Sequence, residues 1–138
     1  MGTIITEATR FLECAGNDVF VESIYPEGVG EALIGQFGLD QGRFSINLHI
    51  YTEPAKKIPK WGVWGTNYNV VVLKFIGDGL KIIKVENWDC FGKAELLCSR
   101  DGDRYCISQR GPTWEFEVLF GILVFQGAET YVDEEARG

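Results

Sequence analysis

The sequence lacks the ligand sets and loops that mark a reaction. None of its four cysteines, Cys14, Cys90, Cys98 and Cys106, forms a C-x-x-C pair, and His49 is the single histidine. Zinc needs closely spaced Cys and His ligands, so no metal site is expected. In a reducing compartment the cysteines are expected as free thiols. There is no G-x-S-x-G elbow, Walker loop or H-E-x-x-H motif. No residue is therefore assigned a catalytic role, and no cofactor is expected. Gly28-x-Gly30 and Gly77-x-Gly79 stand alone, without a following phosphate-binding helix. The longest apolar run falls well short of the roughly 20 residues a membrane helix needs. The opening MGTIITEATRFLEC lacks the basic-then-apolar order of a signal peptide. A soluble, cytoplasmic protein with no membrane partner is expected.

Positive charge is also scarce. Thirteen Lys and Arg stand against twenty Asp and Glu, a net charge of −7. The balance is −3 over residues 1–60, +1 over 61–110 and −5 over 111–138. An acidic chain repels phosphate backbones, so nucleic acid is not an expected partner. A basic protein would be attracted and steered. The 138 residues suit one domain, 1–138, long enough to bury a core without staples.

What the chain does contain is strand formers. Residues 69–88, NVVVLKFIGDGLKIIKVENW, hold two apolar runs around Gly77-Asp78-Gly79. β-Branched and aromatic runs split by a glycine turn read as a central β-hairpin. Arg43 to Thr52 alternates, with Phe44, Ile46, Leu48 and Ile50 on one face and Ser45, Asn47, His49 and Tyr51 on the other. That is a strand with one wet face. Asp40-Gln41-Gly42 is a turn, and 30–38 reads as either helix or strand. Earlier, Ile4-Ile5, Phe11 to Cys14 and Val19-Phe20-Val21 read as short strands. A second hairpin is expected around Asp101-Gly102. A two-residue loop there puts Cys98 opposite Tyr105, and a three-residue loop puts it opposite Cys106. In the stretch from Trp114, the side chains of Trp114, Phe116, Val118 and Phe120 share a face, with Glu115 and Glu117 opposite. Gly121 allows a bend, and Gln126-Gly127 is read as a turn into a last strand, Glu129 to Val132. Many short strands between turns predict an all-β fold, a mostly antiparallel sandwich or partly open barrel with at most one or two short helices.

Candidate binding residues come from the irregular stretch Glu53 to Tyr68, EPAKKIPKWGVWGTNY. Loops this long are usually functional. Trp61 and Trp64, with Tyr68, are either exposed anchors for a partner or caps on the open end of the core. Acidity would come from Glu115 and Glu117, and next from Asp78 at the turn. Two carboxylates about 7 Å apart on one strand face match a glycosidase pair in distance alone. An exposed acidic face is the plainer reading.

"RFSINLHIYTEP", the variable loop, "NVVVLKFIGDGLKIIKVENW" and "WEFEVLFGILVFQGAETYV" together resemble the small all-β immunity proteins of bacterial polymorphic toxin systems. The resemblance covers about half the chain and departs at Val85-Glu86-Asn87-Trp88, where an Asn- and Gln-containing segment is expected. It implies a cytoplasmic, non-enzymatic inhibitor that binds a cognate protein toxin. Two other classes stay open: a small-ligand β-barrel with Trp61, Trp64 and Tyr68 at its mouth, and an enzyme using His49 or a cysteine.

Overall fold

Strand formers dominate from residue 31 onward. In the computed structural model, which describes residues 7–137, they build two five-stranded antiparallel sheets. The first sheet runs β1 (Glu7–Ala8), β7 (Leu97–Asp101), β8 (Arg104–Arg110), β9 (Glu115–Phe120) and β5 (Ile82–Glu86). The second runs β10 (Ile122–Tyr131), β4 (Val70–Asp78), β3 (Arg43–Ile50), β2 (Glu31–Asp40) and β6 (Ala94–Glu95). The sheets pack face to face as a sandwich and do not close into a barrel. Phe37 meets Phe116 at 5.3 Å between ring centroids, and Phe44 meets Phe120 at 5.5 Å, so aromatic rings interlock across the sheets. Alternation places Phe44, Ile46, Leu48 and Ile50 of β3 in the core, as read from the sequence.

The central pair of runs does not form a hairpin. β4 lies between β3 and β10, so both of its edges are taken. β5 belongs to the other sheet and, among the described residues, pairs only with β9. The Gly77-Asp78-Gly79 turn is therefore a crossover between sheets. It is tied to its neighbours, with Leu80 N–H donating to Gly42 O and Lys81 N–H to Leu119 O. Gly79 has φ 70°, where glycine is favoured. Gly121 marks a second crossover, from β9 to β10, and its N–H donates to Asp78 O at 3.0 Å. The stretch from Trp114 to Phe125 is thus two strands in two sheets. Gln126 is a bulge inside β10 rather than a turn.

The segment before Glu31 was expected as strand and is largely helical. Ile4 and Ile5 lie outside the described residues. Phe11–Cys14 forms α1, closed by Gly16 and Asn17 at positive φ. Val19–Ile24 forms α2, because the Asp18 carboxylate accepts the Val21 N–H at 3.0 Å as an N-cap. Val21 and Ile24, three apart, then share a buried face. The cap and the period of three outweigh the β-branched composition that read as strand. A third helix, α3 (Glu134–Arg137), brings the short α-helices among the described residues to three, against the one or two expected. Segment 30–38 resolves as strand, and Gly35 falls where the β2–β3 register slips.

The hairpin between β7 and β8 turns one residue later than expected. Asp101 pairs Arg104, so the loop is Gly102-Asp103 and Cys98 faces Ile107. Cys98 and Cys106 then point to opposite faces of the sheet. All four cysteines are free thiols.

Gly77 lets the buried Phe44 ring cross its backbone; a Cβ there would overlap that ring. Gly77→Ala should lower unfolding free energy by about 1–3 kcal/mol in urea melts, the usual cost of overpacking. An unchanged midpoint would show that Phe44 packs elsewhere.

Candidate functional site

The aromatic loop folds back onto the sandwich. Trp61 ends a 3-10 turn, Pro59–Trp61, and meets Phe20 edge-on at 6.0 Å and Tyr68 at 5.8 Å. Trp64 meets Tyr68 at 5.2 Å, and Tyr68 itself is buried. Both tryptophans are half-buried and packed against the core. The arrangement is a cap more than a pair of free anchors. Trp64 still borders two depressions, of about 190 and 390 Å³. With the sheets open, there is no barrel mouth for these rings to line.

The expected acidic residues lie elsewhere. Asp78 sits at the far end of β4 from Tyr68, roughly 30 Å away by strand rise. Its carboxylate accepts the Gly79 N–H and pairs with Arg43 at 3.6 Å. Glu115 and Glu117 point outward from the first sheet. Glu115 bridges Arg110 at 3.0 Å and Lys84 at 3.4 Å. The Arg110 hydrogen bond holds its carboxyl below the usual range. Two cations already neutralise it, so Glu117 is the freer charge of the two. The structure does not bring the loop, Asp78 and the glutamates onto one surface.

A different acidic surface is assembled instead. Where β6 joins β2, Glu31 stands directly opposite Glu95. Like charges facing across an antiparallel pair are destabilising. No ion pair among the described residues includes Glu27, Glu31 or Glu95. Glu27 and Glu95 rim a cleft of about 240 Å³ whose floor includes Phe11, Leu12, Val29 and Leu96. The floor residues are buried and apolar, and the rim carboxylates are exposed. Arg10, also on the wall, donates to Pro26 O at 3.0 Å and sets one positive charge beside the lining carboxylates Glu27 and Glu95, with Glu31 just outside the lining. Sequence reading missed this surface because Glu27, Glu31 and Glu95 belong to segments that only the sheet pairing brings together.

His49 lies on the outer face of the second sheet, as expected, and is built into a polar chain. Its Nδ1 and the Tyr131 Oη are 2.8 Å apart. The Tyr51 hydroxyl donates to Asp133 at 3.0 Å, and Asp133 and Asn69 exchange two hydrogen bonds. Gly35 leaves room for the imidazole, since a Cβ there would overlap it. Among the described residues, no group of three or more His, Cys, Asp or Glu is placed to hold a metal. No helix among the described residues is long and apolar enough to cross a membrane.

Compared with known protein families, curated proteins and solved structures, the chain finds no match.

Two tests address these roles. Trp61→Ala should cost about 1–3 kcal/mol in urea unfolding, because a packed ring is lost. No loss would mean that the ring is free for a partner. Burial pushes the His49 pKa below its ordinary 6.5, so protonation opposes folding. Its contribution to stability is complete above pH 6.5 and declines as pH falls through the depressed value. His49→Gln should flatten the pH dependence of unfolding there. An identical slope in the variant would show that other groups carry it.

Proposed function

We infer that this chain is a non-enzymatic binding protein of the immunity class, which holds a cognate, basic bacterial toxin in the cytoplasm and blocks it. The cleft between α1, the β2–β6 junction and β7 carries the reading. Its apolar floor and acid rim match a lysine or arginine side chain, whose aliphatic stem packs low while its charge stays at the rim. The repulsion between Glu31 and Glu95 is relieved when a cation arrives. The wider charge of −7 favours encounter with a basic partner. Glu117 and the exposed carboxylates around it extend the steering field, while Glu115 and Asp78 are held in pairs within the chain.

The experiment is capture with the tagged protein from the cells that make it, followed by co-expression. The expected result is a basic protein that arrests growth when expressed alone and is silenced by this chain. Glu31→Lys with Glu95→Lys should slow its association roughly tenfold at low salt, and less as salt rises. A captured protein that is harmless alone would overturn the reading. So would an association rate indifferent to the charge reversal.

A further inference from the structure

The sandwich has four strand edges, and they are protected unequally. β6 is two residues long, and β1 spans two of the described residues. β10 carries the bulge at Gln126. Short edges and bulges are the usual guards against strand addition. β5 has neither: it runs five residues in unbroken register with β9 and contains no proline. Every residue of β5 is exposed, and its apolar side chains are bare on both faces, Ile82 at 38%, Ile83 at 39% and Val85 at 37%. Trp88, just beyond the strand, is 43% exposed.

We propose that β5 is a self-association edge: two copies pair antiparallel about a two-fold axis at Val85, joining their first sheets into one ten-stranded sheet. Charge selects the occupant and the register. In an antiparallel pair centred on Val85, Lys84 of each copy faces Glu86 of the other. Val85 faces its own counterpart, and the paired stretch is Lys84 to Glu86, because Asn87 turns to positive φ and Trp88–Cys90 forms a 3-10 turn. Centring on Lys84 instead would set Lys84 against Lys84, which is unfavourable. The net charge of −7 makes two copies repel in general. Residues 80–89 balance Lys81 and Lys84 against Glu86 and Asp89, so this edge is where two acidic copies can meet at no net charge. The inward-facing Ile83 and Val85 of both copies would then share one apolar strip. β5 and the β1–β7 side that borders the acid-rimmed cleft are at opposite edges of the first sheet, so the pairing leaves the cleft open. The proposal is independent of the immunity reading.

Light scattering coupled to gel filtration, over a dilution series, reads the mass directly. The expected value is twice the 15.5 kDa of the chain at the concentrated end. Glu86→Lys replaces two attractive contacts with two repulsive ones and should weaken the dimer roughly tenfold or more. Glu86 is exposed, so the fold should survive, and circular dichroism checks that. Register is read by cysteine pairing in a Cys90→Ser background with diamide as oxidant. Val85→Cys should give a covalent dimer, because the residue on the axis meets itself. Ile83→Cys should not, since the two copies of residue 83 would be roughly 13 Å apart along the strands. A monomer at every concentration overturns the proposal. So does a dimer that ignores Glu86→Lys, or one that links through Ile83→Cys and not Val85→Cys.

Discussion

Gly79 and Gly121 meet where two strands pass from one sheet to the other. A Cβ on Gly79 would lie 3.2 Å from the Gly121 nitrogen, and that nitrogen donates to the Asp78 carbonyl. The contact binds the β4–β5 crossover to the β9–β10 crossover, and each sheet takes one strand from each. β4 and β10 then pair over nine residue positions, from Asp78–Ile122 to Val70–Tyr131. β5 and β9 pair in the sheet above. The remaining strands attach to this doubled arch, β3 and β2 on one side and β8 and β7 on the other.

A buried glutamine fixes the second junction. Gln109 of β8 is 1% exposed, and its amide donates to Ala32 O at 2.7 Å and Ala94 O at 2.9 Å. It thereby ties the first sheet to the point where β6 joins β2. Both amide protons are used, while the Gln109 Oε1 is buried without a hydrogen-bond partner among the described residues, so the tie carries a desolvation cost. The same junction sets Glu31 against Glu95. The fold thus holds two like charges together, at some cost, beside an apolar cleft. That combination is what gives the acidic composition a local address.

Alternation made β3 legible, since only period two explains Phe44, Ile46, Leu48 and Ile50 on one side. The faces of β9 were legible for the same reason. α2 was not read, although Asp18 three residues before Val21 was a visible cap signal; Val19 and Val21 drew the reading toward strand. The tryptophan loop was visible as a loop, and its inward packing on Phe20 was not, because Phe20 is remote in sequence. Glu115 and Glu117 were legible as an outward pair, but both are half-buried, and the Arg110 and Lys84 partners of Glu115 come from flanking strands.

The sequence by itself determined that this is an acidic all-β chain, that it turns at Asp40-Gln41-Gly42 and Gly77-Asp78-Gly79, and which faces of its regular strands are wet, because these follow from local periodicity and glycine chemistry. Tertiary structure alone decided which strands are partners. A Gly-Asp-Gly turn serves a hairpin or a crossover equally well, and the choice was made by β3 and β10 already occupying both edges of β4. The crossover sends β5 to an open sheet edge, and β6 to its place against β2, where the acidic rim forms. Both candidate surfaces arise from pairings between residues far apart in the chain, whose energies no local stretch contains.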